Sequence, residues 1–172
     1  MGVRHAVAAA LVAAAMIGVP VAATASTPRT TGWQRYPYAS VTEPAGTACT
    51  FALRVDPVRQ DVRYLTTASY PDGDPEDQIW AGPLYMRYTD EANGKSLVAD
   101  LSGTAYIHYD PDGTQHWYGI GPFGLAVHPG NPYLAAGEYV ASGVTVLVLH
   151  AGTTPELTFH SRPLRDVCAE LG

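Results

Sequence analysis

The sequence predicts an all-β fold, a small antiparallel β-barrel or sandwich of six to eight strands closed by one disulfide. Three observations predict it. Short apolar or alternating runs recur from Thr47 onward, separated by Gly, Pro, Asn and Asp turns. No segment shows the 3.6-residue apolar period of an amphipathic helix. Two turns carry strong hairpin chemistry, Asn93-Gly94 and Asp110-Pro111-Asp112-Gly113.

The second hairpin, Gly103 to Gly121, is the best-defined local element. Pro111 holds φ near −65°, which suits the second position of a type I turn. Gly113 can then take the left-handed position of a G1 bulge, giving a three-residue loop. On this register Asp110 faces Thr114, Tyr109 faces Gln115, His108 faces His116, Ile107 faces Trp117 and Tyr106 faces Tyr118. Strand alternation puts Ala105, Ile107, Tyr109, Gln115, Trp117 and Gly119 on one face, which reads as core. The other face gathers Tyr106, His108, His116 and Tyr118.

Taken in order, residues 1–25 read as a secretory signal peptide. Arg4 supplies the positive start, Ala6 to Val19 a short apolar stretch, and Ala23-Thr24-Ala25 the small residues of a cleavage site. A retained N-terminal anchor is the alternative. Cleavage leaves 147 of 172 residues, the size of one domain. The formal net charge of −6 becomes −7 once Arg4 is removed. An acidic chain without Lys/Arg clusters argues against nucleic acid as a partner, and no later run argues for a membrane span.

Residues 26–46, rich in Thr, Pro, Ser and Gly, read as a flexible N-terminal arm containing Trp33, Tyr36 and Tyr38. Residues 47–172 form the β domain. Cys49, Phe51, Leu53 and Val55 alternate with polar or small residues as a half-buried strand that Asp56-Pro57 ends. Val62 to Ser69 is a second strand. Pro71 to Asp77 is an acidic turn. Its Asp72, Asp74 and Glu76 follow a calcium-loop spacing, but Asp77 stands where that loop needs glycine. Leu84 to Asp90 and Lys95 to Leu101 pair around Asn93-Gly94. A two-residue type I′ turn there sets Ala92 against Lys95 and Arg87 against Asp100. Glu138 to His150 is the most apolar stretch of the mature chain, a central strand bent at Gly143. Pro163 to Leu171 is a last strand or helical turn. Mid-strand glycines at 103 and 143 suit a curved sheet and favour the barrel over the sandwich.

Cys49 and Cys168 are the two cysteines, and in an exported chain an even count implies a disulfide; two free buried thiols are the alternative. A bridge closing that loop is worth about 4–5 kcal/mol in the chain-entropy account.

Five segments carry a resemblance: NGKS at Asn93 to Ser96, LSGTA at Leu101 to Ala105, DPDGT at Asp110 to Thr114, GIGP at Gly119 to Pro122 and DVCAEL at Asp166 to Leu171. Together with the export signal they are similar to small secreted actinobacterial β-rich proteins of uncharacterised function, over most of Cys49 to Gly172. The resemblance implies an extracellular β domain from a Gram-positive actinomycete. It transfers no activity and no site residue.

Chemistry is sparsely marked. No G-x-S-x-G, HExxH, P-loop or GxGxxG is present, and no catalytic residue or cofactor is indicated. His108 and His116 stand close enough across the hairpin to share an ion, but two ligands make an incomplete site, so no metal is assigned. Asp90, Asp100, Asp110 and Glu138 are the carboxylates available for acid–base work, and nothing in the sequence pairs them. The candidate ligand-binding face is Tyr106, His108, His116 and Tyr118, an aromatic surface with polar tips. The reading is a secreted, non-catalytic binding domain for a small molecule, glycan or protein. The alternative is a small extracellular β-barrel enzyme using histidine and carboxylate chemistry inside the barrel.

Overall fold

The computed structural model describes residues 32–152 and 155–172. The expected signal peptide, residues 1–25, and the start of the expected arm, 26–31, lie outside the described residues. Among the described residues the fold is all-β and antiparallel with one short helix. Fourteen strands are found among the described residues, more than the six to eight expected, because the arm contributes β1 and β2, the acidic turn leads into β5, Glu138–His150 divides between two sheets and residues 165–166 add a short last strand.

Three open sheets share the chain. A four-stranded sheet has the order β2-β3-β6-β7, built from Val41–Glu43, Leu53–Gln60, Leu84–Asp90 and Ser96–Asp100. A seven-stranded sheet runs β1-β4-β5-β8-β9-β12-β13, from Gln34–Arg35, Arg63–Ser69, Pro75–Ala81, Thr104–Tyr109, Gln115–Ile120, Val144–Leu149 and Glu156–His160. A three-stranded sheet, β10-β11-β14, comprises Phe123–Val127, Gly137–Ala141 and Arg165–Asp166. None of the three closes on itself. The helix α1, Val167–Leu171, follows β14 directly. The Asp166 carboxylate accepts its first-turn Ala169 N–H at 2.9 Å.

The chain changes sheet repeatedly, and glycine marks the corners. Gly103 lies between β7 and β8; a Cβ there would stand 2.5 Å from the Pro122 carbonyl oxygen. Gly121, at φ +97°, joins β9 to β10 and donates its N–H to the Gly143 carbonyl at 2.9 Å. Gly143, at φ +76°, splits the expected Glu138–His150 strand into β11 and β12, which belong to different sheets. The bend expected at Gly143 is therefore a full sheet change.

The Gly103–Gly121 hairpin has the expected register, with His108 opposite His116, Ile107 opposite Trp117 and Tyr106 opposite Tyr118. Gly113 is left-handed at φ +85°, and Asp110 and Thr114 close the three-residue loop. The Asn93-Gly94 hairpin differs. No non-glycine residue among those described has positive φ, so Asn93 cannot take the type I′ conformation. Instead Glu91–Gly94 form a four-residue loop. The Asp90 carboxylate accepts the Ala92 N–H at 2.7 Å, and the Asn93 side chain accepts the Lys95 N–H at 2.7 Å. Arg87 consequently faces Val98, and Asp100 faces Tyr85. The slip is two residues, so the buried face is unchanged.

Three more expectations are corrected. The described part of the arm is not free. Tyr36 N–H donates to the Val62 carbonyl at 2.9 Å, and Gln60 makes reciprocal hydrogen bonds with the Tyr38 backbone at 2.6 and 2.9 Å. Residues 34–35 and 41–43 thereby extend two sheets at their edges. Strand β3 begins at Leu53 and runs through Pro57, where the ladder to β6 bulges and no proline N–H is needed. Asp77, expected in a turn, lies within β5.

The disulfide joins Cys49 to Cys168, with Cα atoms 5.4 Å apart. It fastens α1 to the segment before β3. Cys49, Leu53, Tyr88, Leu101, Val167 and Leu171 belong to one buried cluster there. A second cluster packs Leu125, Val127 and Tyr139 against Leu147 and Trp117 of the seven-stranded sheet. Replacing both cysteines with alanine is expected to lower unfolding free energy by about 4 kcal/mol. Urea denaturation followed by circular dichroism measures it.

Candidate functional site

The two faces of the seven-stranded sheet hold different chemistry. Tyr106, His108, His116 and Tyr118 all lie on its outer face, partly open to solvent, with Tyr106 and Tyr118 40% and 48% exposed. The structure brings two carboxylates to them. Asp77 reaches them because β5 pairs with β8 and sets Asp77 opposite His108. Its Oδ1 accepts the Tyr106 hydroxyl at 2.5 Å and lies 2.8 Å from His108 Nδ1. Asp110, the first residue of the hairpin turn, places Oδ2 2.7 Å from His116 Nε2 and Oδ1 3.3 Å from His108 Nε2.

These contacts fix protonation. With a carboxylate beside each ring nitrogen, His108 is best satisfied as the cation, which donates from both. The Asp77 contact holds its pKa above the ordinary imidazole value. In turn, the Tyr106 hydroxyl and then His108 hold the Asp77 carboxyl below its ordinary range, while Asp77 pushes the Tyr106 hydroxyl up to about 12. Both nitrogens of His108 and Nε2 of His116 thus face carboxylates. No three or more His, Cys, Asp or Glu side chains among the described residues are arranged so that they could hold a metal ion. Tyr106 and Tyr118 continue the row, their ring centroids 6.0 Å apart.

The inner face of the same sheet borders a cavity of about 330 Å³ where the three sheets meet. Trp80, Ala105 and Trp117 contribute from the seven-stranded sheet, and Val55, Met86 and Tyr88 from the four-stranded one. Phe123, Gly124 and Glu138 complete the wall from the three-stranded sheet. The indoles are held by side-chain amides: Trp80 donates to Gln78 at 2.8 Å and Trp117 to Gln115 at 3.0 Å. Tyr64 stacks on Trp80 with ring centroids 5.0 Å apart. The walls are therefore fixed before any ligand arrives.

Glu138 is the chemically distinct group of this cavity. It is 6% exposed, in a strand whose five residues are all buried. Its backbone N–H donates to Cys168 Sγ at 3.3 Å, and its carboxyl accepts the Tyr88 hydroxyl. Burial pushes its pKa up from 4.5 to about 7; Tyr88 opposes the shift, and the charge on Glu43 adds to it. Burial, then the neighbouring Glu138, pushes the Tyr88 hydroxyl upward as well. Gly124 leaves the room this pair occupies: a Cβ there would stand 3.2 Å from the Tyr88 oxygen and 3.6 Å from Glu138 Oε1.

Of the carboxylates weighed from sequence, Asp90 and Asp100 cap turns, accepting the N–H groups of Ala92 and Ser102. Asp110 binds imidazole, and Glu138 enters the cavity. Sequence reasoning missed Asp77 and Tyr88. The available signal for Glu138 was its place at the head of the most apolar run. Compared with protein-family models, curated proteins and solved structures, the chain matches none.

Two titrations follow. Histidine NMR should find the His108 midpoint above about 6.5, falling toward it in Asp77→Asn. Because His108 is raised, its contribution to stability is complete below about pH 6.5 and fades as pH rises through the folded midpoint. Asp77, being depressed, contributes above about pH 3.9 and fades on acidification through its own folded midpoint. Glu138 has the opposite sense for a carboxyl: raised on folding, it costs stability as pH rises from about 4.5 to about 7. Glu138→Gln should remove that loss, gaining on the order of 3 kcal/mol over wild type between pH 4 and pH 8. Denaturation curves across the pH range test it.

Proposed function

We propose that this chain is an exported, non-catalytic binding domain that holds one small, mainly apolar molecule in the cavity between its three sheets. The observation that carries this reading is the cavity itself. It is of ligand size, walled mainly by aromatic and aliphatic side chains, and has hydrogen-bonding groups in Glu43 and in the Tyr88–Glu138 pair. In this reading the three open sheets wrap the ligand as a small barrel would. Export is supported by the signal-like N-terminus, by the disulfide, and by the resemblance to secreted actinobacterial proteins. No helix among the described residues is long and apolar enough to cross a membrane. The outer Tyr106/His108/His116/Tyr118 face then offers a separate, solvent-facing contact surface for a glycan or protein.

A catalytic reading has one observation in its favour, a buried carboxyl poised near neutral pH beside a cavity. It lacks the histidines it was framed on, since His108 and His116 sit on the opposite face of the sheet.

The binding reading is tested with the neutral fluorophore N-phenyl-1-naphthylamine. Saturable one-to-one binding is expected, with transfer from Trp80 and Trp117. Ala105→Phe, which fills the cavity, should weaken it by about tenfold or more; Ala126→Leu serves if that variant does not fold. Absence of saturable binding, or binding indifferent to the filling substitution, would overturn the proposal.

A further inference from the structure

We infer that the molecule taken by the cavity is an organic cation, an ammonium group on a mainly apolar body, with Glu138 as its counter-ion. The inference rests on the cavity being a ligand site and adds the sign of the ligand's charge.

The cavity has two carboxyls on its wall, Glu43 and Glu138, and no Lys, Arg or His. The cationic groups nearby already have carboxylate partners. Arg165, whose charge reaches Tyr88, is clamped by Glu170 through two contacts of 2.6 Å. His128 Nε2 lies 3.5 Å from Glu43 and is half exposed. The ionisable side chains of the wall itself, tyrosines aside, are therefore acidic. The charge of Glu43 is one of the causes that raise Glu138, and the same field favours a cation placed between them.

Ring chemistry points the same way. Trp80, Trp117 and Tyr88 stand around the space, and aromatic faces attract ammonium groups, most strongly where water is excluded. A neutral guest would leave an ionised Glu138 held by Tyr88 alone. An anionic guest would meet two carboxyls. An ammonium group completes the pairing of the carboxylate. Because Glu138 is partly protonated near pH 7, binding should also expel a proton from it, while the amine keeps its own.

The test is calorimetry at pH 7 on the 26–172 chain with three matched probes, 2-phenylethylamine, 2-phenylethanol and 3-phenylpropanoate. Two buffers of different ionisation enthalpy report proton release. The amine should bind about 10- to 100-fold more tightly than the alcohol, the acid should not bind, and only the amine should release protons. Glu138→Gln should abolish proton release and bring amine and alcohol together. If that variant does not fold, Glu43→Gln should reduce the preference for the amine, and wild-type proton release still decides. Equal or tighter binding of the alcohol or acid would overturn the cation inference and leave the cavity as a ligand site. So would failure of the amine where the neutral fluorophore binds. If the fluorophore and all three probes fail, the ligand site itself is refuted.

Discussion

The fold depends on one close approach. The links leading out of β7, β9 and β11 come together at Gly103, Gly121 and Gly143: the first two meet backbone to backbone with no room for a side chain, and the third accepts the Gly121 N–H while a Cβ on it would run into the Ser161 hydroxyl. A Cβ on Gly121 would stand 3.2 Å from Gly103 Cα, and one on Gly103 would run into the Pro122 carbonyl. Each of these links carries the chain from one sheet to another. The crossing thus brings the three sheets to one corner, and the cavity opens beside it, with Gly103 and Gly119 on its wall. Gly119 belongs to the same arrangement, since a Cβ there would press on the Phe123 ring.

The glycine crossing also separates two kinds of polar chemistry. On the wet face of the seven-stranded sheet, acids and imidazoles contact one another in a row, from Tyr106 through Asp77, His108 and Asp110 to His116. Each member has a partner and partial solvent. Across the cavity from that sheet's inner face, on the three-stranded sheet, the buried Glu138 has a tyrosine hydroxyl as its partner. The same residue type is therefore pulled in opposite directions, Asp77 toward the ionised form and Glu138 toward the neutral one, by what stands around it rather than by its position along the chain.

Local chemistry of the chain was the legible part. The Pro111–Gly113 turn specified its own register, because proline and glycine each restrict one dihedral, and every cross-strand pair in that hairpin followed. The disulfide was legible because two cysteines permit one pairing. Asn93-Gly94 misled because a type I′ turn and a four-residue loop share that dipeptide, and Asp90 and Asn93 side chains favoured the longer loop. What lay beyond reach was pairing between distant segments. Asp77 belongs to an acidic run that reads as a turn, and only the β5–β8 ladder carries it to His108. Glu138 and Tyr88 are 50 residues apart and meet across two sheets. The arm read as flexible because its composition is polar, whereas its order comes from Gln60 and Trp80, residues outside it.

Three open sheets leave unpaired strand edges, and an unpaired edge is a template for another chain. The seven-stranded sheet ends in β1 and β13. The first is two residues long and carries Arg35. The second is bulged against β12 at Val146 and Leu147, where the Thr158 hydroxyl donates to the Val146 carbonyl at 3.1 Å. Prolines at 155 and 163 bracket it. A short charged border on one side and a twisted, proline-bounded one on the other discourage the addition of further strands. The seven-stranded sheet can therefore stay open at both borders without offering a long, flat edge to another strand.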